Sequence, residues 1–199
     1  DCGSALAEAE VEYQDKTSSA VDVALDAIDP AAFATAFGVD WQGPVAVAIW
    51  TTTPWTLAAN RGVSLNPDLS YVLLKVGDRA IVIAEGLIET CAERFGIASP
   101  EVLGSVTGSA LDRLMLKHPF AELQVPVMLG DHVTLDAGTG CVHTAPAHGL
   151  EDFDIGKRYG LEVYNPVGGN GVYLPGTPVF EGKHIFKAND EIIAELEAR

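Results

Sequence analysis

The spacing of apolar positions along this 199-residue chain predicts mainly short strands. Residues 45–50 form an uninterrupted apolar run of strand length, and residues 71–76 and 79–84 are two β-rich runs joined by a Gly-Asp pair. That pair suits a tight turn, so the two runs predict a β-hairpin. Shorter strand-like pieces, broken by Gly, Pro and Asp, lie at residues 102–106, 124–128, 132–135 and 172–174. Such a rhythm is typical of a sheet or barrel with tight corners.

Other stretches have apolar residues at helical spacing. The predicted helices are residues 30–37, a short helix that begins at Pro54, and residues 86–95, 150–159 and 190–198. Gly96 and Gly160 directly follow two of these segments, which is where glycine commonly ends a helix. Asn189 is the predicted N-cap of the last helix, whose first residues are acidic. The chain therefore mixes helices and strands along its length.

The first 40 residues differ from the rest. Residues 7–13 alternate acidic with small or apolar positions, and residues 19–25 alternate less strictly, so both stretches are predicted to be extended. We interpret residues 1–40 as a linker-like extension of a single domain that spans residues 1–199. Because the chain begins with aspartate rather than methionine, we expect it to be a fragment of a larger protein.

Composition narrows the classes of function. Hydrophobic residues make up 48% of the chain and charged residues 20%, as in an ordinary globular domain in water. Apolar runs stay below the roughly 18 residues of a membrane span, and no signal-peptide pattern is present. The three cysteines lack a Cys-x-x-Cys spacing, which fits a reducing cytoplasm. The formal net charge of −16 argues against a general nucleic-acid-binding surface, so contact with nucleic acid is expected to be local.

Candidate chemistry is concentrated in residues 138–152, Gly-Thr-Gly-Cys-Val-His-Thr-Ala-Pro-Ala-His-Gly-Leu-Glu-Asp. Glycines, then a proline, then acidic residues that open a helical pattern describe a turn leading into a helix N-terminus. Polar side chains from His143, His148 and Asp152 are therefore expected to converge. The helix dipole would favour the ionised form of Asp152, and an anion at a pocket rim suits a cationic ligand.

A second motif is Trp50-Thr-Thr-Thr-Pro-Trp-Thr-Leu57. Thr53 before Pro54 has the pattern of an N-cap followed by the first helical residue. A helix beginning there would present backbone N–H groups that can bind an oxyanion or a phosphate. Thr51, Thr52 and Thr53 add three hydroxyl groups at the same place.

The same residues also have structural interpretations. Each histidine could be a core or loop residue bonded to backbone, Asp152 a helix N-terminal acid, and residues 51–53 ordinary strand residues, because threonine favours strands. A metal site made by His143, His148 and Asp152 is not favoured, since their spacing does not place three ligands on one helical face. The chain also lacks the Gly-x-Ser-x-Gly, His-Glu-x-x-His and Gly-x-x-x-x-Gly-Lys motifs of common hydrolases and nucleotide-binding proteins.

Together the two motifs resemble the editing domain that is inserted in bacterial isoleucyl-tRNA synthetase. The resemblance covers nearly the whole chain and includes Cys-Gly-Ser-Ala-Leu-Ala-Glu-Ala-Glu at its start and Phe186-Lys-Ala-Asn-Asp190 near its end. The threonine motif discriminates most, because valyl and leucyl relatives carry Arg at the position of Thr53 and an acidic residue at that of Trp55. No His-x-Gly-His or Lys-Met-Ser-Lys-Ser element of the synthetic site is present.

The resemblance implies a post-transfer editing hydrolase that removes valine from isoleucine tRNA, with valyl-adenylate as a second candidate substrate. It implies that Asp152 binds the substrate ammonium group and that Thr51, Thr52 and Thr53 act in catalysis. Trp50, His143 and His148 are the other substrate-binding residues that it implies, with His143 setting the size of the side-chain pocket. The chain would act without metal or cofactor, and its partners would be the aminoacylated 3′ end of isoleucine tRNA and the remainder of a parent synthetase in the cytoplasm.

The implied fold is a compact α+β domain with a β-barrel-like core of short strands and peripheral helices. Two other functions stay open from the residues alone. One is a non-catalytic module that binds the acceptor end of tRNA, and the other is a metal-dependent esterase.

Overall fold

The computed structural model describes residues 19–199. Within this range two sheets are built from strands β1 (Val21–Asp26), β2 (Val45–Thr51), β3 (Gly62–Leu65), β4 (Ser70–Val76), β5 (Arg79–Ala84), β6 (Glu101–Thr107), β7 (Met115–Lys117), β8 (Gln124–Leu129) and β9 (Cys141–Thr144). The helices are α1 (Pro30–Phe37), α2 (Ile88–Phe95), α3 (Leu150–Tyr159) and α4 (Ile185–Glu197), and a short 3-10 helix spans Pro54–Ala59.

The larger sheet has five strands in the order β1-β2-β5-β4-β6. Strands β4 and β5 form the predicted antiparallel hairpin, with Tyr71 opposite Ala84, and β5 runs parallel to β2. Strand β2 lies inside this sheet and is buried from Val45 to Ile49. Burial of the whole strand explains why its sequence is a continuous apolar run rather than an alternating one.

The smaller sheet has the order β7-β8-β3-β9. Strand β3 runs parallel to β8 and antiparallel to β9, and β9 also lies close to β2 of the larger sheet. The α+β class with peripheral helices is confirmed. The core predicted to be barrel-like consists of two mixed sheets, which do not close into a barrel within residues 19–199.

The helix predictions over residues 30–37 and 150–159 are confirmed. The carboxylate of Asp29 caps α1 by accepting hydrogen bonds from the backbone N–H groups of Ala31 and Ala32, at 3.0 and 3.2 Å. Gly160 ends α3 with a left-handed φ of 69°, which glycine adopts without steric cost. No helix formed by residues 19–199 is both long and apolar enough to cross a membrane.

Three local predictions were wrong. Helix α4 begins at Ile185 rather than after Asn189, and the His184 ring accepts the N–H of Phe186 at its start. Ile185, Ala188 and Ile192 are buried at helical spacing, so packing extends the helix beyond the predicted cap. Residues 132–135 form turns and bends, and residues 172–174 make only isolated bridges, because Gly- and Pro-rich neighbours interrupt regular pairing.

The predicted extension over residues 1–40 is described only in part. Residues 1–18, including the stretch 7–13, lie outside the described residues. Strand β1 pairs antiparallel with β2 at the edge of the larger sheet, and α1 buries Phe33 and Phe37. The described part of this extension thus contributes to the core.

Candidate functional site

The two sequence motifs meet in one pocket of about 170 Å³. It lies where β2 ends, the 3-10 helix begins, β9 ends and α3 begins. Its walls come from nine residues, Trp50, Thr51, Thr53, Thr56, Val142, His143, Ala145, His148 and Asp152. Six of these were predicted site residues. The structure therefore brings together side chains that lie about a hundred positions apart in the chain.

The turn that precedes β9 requires glycine at two positions. Gly138 and Gly140 have φ values of 78° and 73°, in the left-handed region that other residues rarely adopt. A Cβ atom on Gly140 would lie 2.3 Å from the Cβ of Ala84, and one on Gly138 would lie 3.3 Å from the Cβ of Trp50. The glycines thus let the turn pack directly against β5 and against the tryptophan that lines the pocket.

The threonine motif forms a connected group of hydroxyls. The Thr51 hydroxyl oxygen accepts the backbone N–H of Thr53 at 3.1 Å and lies 3.3 Å from the Thr53 hydroxyl. Thr53 is at the predicted start of the helix, but its side chain makes no cap hydrogen bond. Thr52 is exposed and does not line the pocket, so only two of the three predicted threonines face it.

His143 is held on both ring nitrogens. The Asn60 amide nitrogen lies 3.0 Å from the Gly62 carbonyl and 2.7 Å from His143 Nδ1, and His143 Nε2 lies 3.1 Å from the Thr56 hydroxyl. Because the Gly62 carbonyl can only accept, it fixes the Asn60 amide with its NH₂ group toward the imidazole. His143 Nδ1 therefore accepts a hydrogen bond from Asn60, and Nε2 carries the ring proton and donates to the Thr56 hydroxyl oxygen. The Thr56 hydroxyl in turn donates to the Thr53 carbonyl at 2.9 Å.

Burial, together with nearby His118 and His148, lowers the pKa of His143 to about 3. The ring is therefore neutral at physiological pH. A neutral imidazole whose two nitrogens are both occupied cannot readily exchange a proton with a ligand. His143 therefore lines the pocket as a neutral ring that is hydrogen-bonded on both nitrogens.

Asp152 lies in the first turn of α3, as predicted. Its Oδ2 atom accepts the backbone N–H of Ala145 at 2.8 Å, which ties the helix to the end of β9. Burial raises the pKa of Asp152 above its ordinary value of 3.8, against the lowering effect of that hydrogen bond. The predicted effect of the helix dipole stays a prediction, because the net shift reflects burial, the Ala145 hydrogen bond and nearby charges.

His148 has fewer partners than His143. Its ring packs edge-on against Trp55, with centroids 5.1 Å apart and an interplanar angle of 81°. Its Nε2 atom is buried and has no hydrogen-bond partner among residues 19–199. Burial lowers the pKa of His148, so this ring too favours the neutral form.

Sequence reasoning missed several residues of the site. Thr56 belongs to the second motif and could have been found from its position, whereas Val142 and Ala145 carry no chemical signal. Asn60 lies outside the pocket lining and acts through His143. Its role depends on a contact between residues 83 positions apart, which no local pattern reveals.

Outside this pocket, the described chain offers neither a metal-binding group nor a second cavity with predicted site residues. Residues 19–199 contain no group of three or more His, Cys, Asp or Glu residues placed to hold a metal ion. A larger cavity of about 500 Å³ lies between β1 and the end of α4. Two of its charged residues, Arg79 and Asp26, pair with each other at 2.9 Å, and it includes none of the predicted site residues.

Comparisons with known proteins identify the family of the chain. The family described as "Leucyl-tRNA synthetase, editing domain" matches residues 33–172. Over its whole length the chain is 57% identical to an isoleucine–tRNA ligase of Shewanella sp. strain MR-7 and 54% identical to that of Pseudoalteromonas atlantica. The chain spans 22% of the length of these relatives.

Solved structures show the same fold. The structure of GlLeuRS-CP1 aligns with a TM-score of 0.70 at 16% identity, over 90% of this chain and 96% of that one. The editing domain of Plasmodium falciparum cytosolic leucyl-tRNA synthetase aligns with a TM-score of 0.66 at 10% identity, covering 90% and 95% of the two chains. The chain therefore belongs to the editing-domain family of aminoacyl-tRNA synthetases, in the branch that is part of isoleucine–tRNA ligases.

Proposed function

We propose that this domain hydrolyses the ester bond of valine that has been attached to isoleucine tRNA. The observation that carries the proposal is the convergence of Asp152, the hydroxyls of Thr51 and Thr53, and His143 in one small pocket. A pocket that selects isoleucine gains little against valine, because one methylene changes binding only modestly. Isoleucyl-tRNA synthetase is itself the standard example of this limit and of the need for a second, hydrolytic site.

Asp152 is the proposed anchor for the α-ammonium group of the amino acid. Its carboxylate lines the pocket, and burial raises its pKa, so the unliganded site holds a carboxylate that is poorly solvated. An ammonium group placed beside it would restore a favourable interaction for the charged form. This supports Asp152 as a binding group and makes it a poor general base.

The threonine hydroxyls are the proposed contacts for the reacting end of the substrate. Thr51 and Thr53 can each donate or accept a hydrogen bond, so they suit the terminal ribose, the attacking water and the developing oxyanion. Thr52 is exposed beside them and is proposed to contact the terminal adenosine rather than the ester. Trp50 would form the apolar surface next to the amino acid.

The reaction needs no covalent intermediate on this chain. The water oxygen bonds to the ester carbonyl carbon, the bond from that carbon to the ribose oxygen breaks, and a proton from water passes to the ribose oxygen. Valine and tRNA with a free terminal hydroxyl result. Because His143 is neutral and bonded on both nitrogens, it is not the proton carrier, and substrate hydroxyls or water are the proposed route.

Selection between valine and isoleucine is proposed to be steric. Isoleucine would bury one more methylene and so bind better by about 0.8 kcal/mol if both fitted. A wall is therefore needed to refuse it. His143 suits this role, because hydrogen bonds from Asn60 and to Thr56 prevent the ring from moving aside.

The test is release of labelled valine from valyl-tRNA for isoleucine by the purified domain at high enzyme concentration, because the acidic domain has few basic groups for tRNA. Valyl-adenylate is assayed in parallel to rank the two substrates. Complete inactivity of a folded domain that still binds the tRNA 3′ end would favour the non-catalytic binding module. Activity that zinc restores after chelation would favour the metal-dependent esterase.

A further inference from the structure

The glycine turn that flanks the pocket is tied to the edge strand β1 by a single side chain. Arg94, in the last turn of α2, donates Nε and Nη2 hydrogen bonds to the two Asp22 carboxylate oxygens at 3.0 and 2.9 Å. The same Nη2 group donates to the Gly138 carbonyl at 3.0 Å. One guanidinium therefore joins β1 to the turn, with a planar geometry that a lysine could not reproduce.

The Arg94 bridge between Asp22 and Gly138 lies next to Trp50. Asp22 and Trp50 are direct cross-strand partners in the β1–β2 pair, so their side chains project on the same side of the sheet. Gly138, the other end of the bridge, packs so closely on Trp50 that an added Cβ would lie 3.3 Å from the Trp50 Cβ and 3.4 Å from its ring. Trp50 therefore neighbours both ends of the bridge, Asp22 on β1 and Gly138 in the turn.

The ion pair in this bridge is partly shielded from solvent. The side chains of Arg94 and Asp22 are 28% and 25% exposed, and the contact is bidentate. The hydrogen bonds to the Asp22 carboxylate raise the pKa of Arg94 and so favour its charged form. Such a pair is better placed to fix a turn than an exposed single contact.

We propose that Arg94, held by Asp22, is a positioning residue that sets the Trp50 wall of the pocket by clamping the Gly138 turn against it. The proposal rests on the deacylase function proposed above for the same pocket. Arg94 does not touch the substrate. Loss of the clamp lets the turn and Trp50 shift, and misplacement of a reactant by about 1 Å can lower a rate on the order of 100-fold.

The decisive comparison is Arg94→Met against Arg79→Met. Arg79 also pairs with an aspartate of β1, Asp26, at 2.9 Å, but that pair lies outside the Trp50 pocket. Deacylation of valyl-tRNA should show a kcat lower by roughly 10- to 100-fold for Arg94→Met, with a smaller change in KM because Arg94 does not contact the substrate. Arg94→Lys should recover part of the loss, and Arg79→Met should match the parent.

A second readout does not depend on activity. The domain labelled with 5-fluorotryptophan gives one ¹⁹F resonance for each of its three tryptophans, assigned by Trp→Phe substitution. Arg94→Met should move or broaden the Trp50 resonance and leave that of Trp41 unchanged, whereas Arg79→Met should leave both in place. If the parent domain proves inactive, the deacylase proposal fails and this spectrum alone decides whether the clamp exists.

Asp22→Asn serves if Arg94→Met does not fold, because it keeps the side-chain shape and removes the charge that holds the guanidinium. It should shift the Trp50 resonance and lower kcat less than Arg94→Met would. The proposal is overturned if the folded Arg94 or Asp22 variant keeps the parent Trp50 resonance. It is equally overturned if kcat matches that of Arg79→Met.

Discussion

The His143 wall and the Asp152 end of the pocket differ in how their polar groups are satisfied. His143 has a protein partner on each ring nitrogen, at 2.7 and 3.1 Å. Asp152 makes one hydrogen bond, to the Ala145 N–H, and nearby His148 has a buried Nε2 atom with no partner among residues 19–199. The ring nitrogens of His143 thus both have protein partners, whereas the Asp152 and His148 side of the pocket has polar atoms that can bind a ligand.

This difference in hydrogen bonding suits two different tasks, exclusion of a larger side chain and binding of an ammonium group. A wall that excludes a larger side chain must be rigid, and full hydrogen bonding gives His143 that rigidity. A carboxylate that binds an ammonium group needs free lone pairs, and its burial disfavours the charged form until the ligand is bound. The raised pKa of Asp152 shows this effect of burial. Under the proposed function, shape selection would therefore come from β9 and charge recognition from α3.

The largest effect is expected from Asp152→Ala. Loss of a charge-assisted partner for a buried ammonium group costs roughly 1.5–3 kcal/mol, which corresponds to about a 10- to 100-fold fall in kcat/KM. Asp152→Asn should be nearly as damaging, since it keeps the shape and removes the charge. Steady-state deacylation of valyl-tRNA measures both variants.

Glu151→Ala is the matched control, because Glu151 is the exposed neighbour in the same helical turn and does not line the pocket. It should retain the parent rate. An Asp152 variant that also deacylates at that rate would show that another residue anchors the ammonium group.

A smaller effect concerns stability and pH. The folded pKa of His143 is about 3 and its ordinary value is 6.5, so between these pH values the unfolded chain binds a proton that the folded one does not. The free energy of unfolding should therefore fall as the pH drops from about 6.5 toward 3. Replacing His143 by Gln should remove a slope of up to about 1.4 kcal/mol per pH unit from this window.

Urea unfolding at several pH values between 4 and 7 measures this slope. His118, whose pKa burial lowers to about 4, contributes a similar slope and lies outside the pocket. The change of slope in His118→Gln is therefore the reference against which the size of the His143→Gln effect is judged. Parallel curves for the parent and His143→Gln would mean that His143 is not held neutral by the fold.

No effect at all is expected from metal removal. The candidate ligands His143, His148 and Asp152 do not form a group placed to hold a metal ion, and His143 has both nitrogens occupied. Dialysis against a chelator should leave the deacylation rate unchanged, and elemental analysis should find no stoichiometric zinc. Activity lost on chelation and regained with zinc alone would contradict the assignment of the pocket.

Local sequence signals predicted the elements that frame the pocket. The apolar run of β2, the hairpin of β4 and β5, and α3 with Gly160 at its end are all set by short-range spacing and turn residues. Trp50 and Asp152, which the family resemblance named as site residues, both line one pocket. These features depend on residues that are close in the chain.

Features that depend on long-range contact were not predictable in the same way. The hydrogen bonds that fix the His143 ring come from Thr56 and Asn60, more than 80 positions away, and the burial that keeps the ring neutral comes from tertiary packing. The net direction of the Asp152 pKa shift depends on how deeply tertiary packing buries it, which the helix position alone does not give. The start of α4 was missed for the same reason, because burial of Ile185 extends the helix before its polar cap signal.

The central claim is that His143 excludes isoleucine while Asp152 holds the amino acid. Its most direct test is the ratio of the deacylation rates on isoleucyl- and valyl-tRNA, measured for the parent and for a folded His143→Ala variant. Forcing an extra methylene into a packed site costs about 1–3 kcal/mol, so removing the wall should raise this ratio by at least about fivefold. The variant should retain some activity on valyl-tRNA. An unchanged ratio would contradict the claim and place the wall at Trp50 or the threonines.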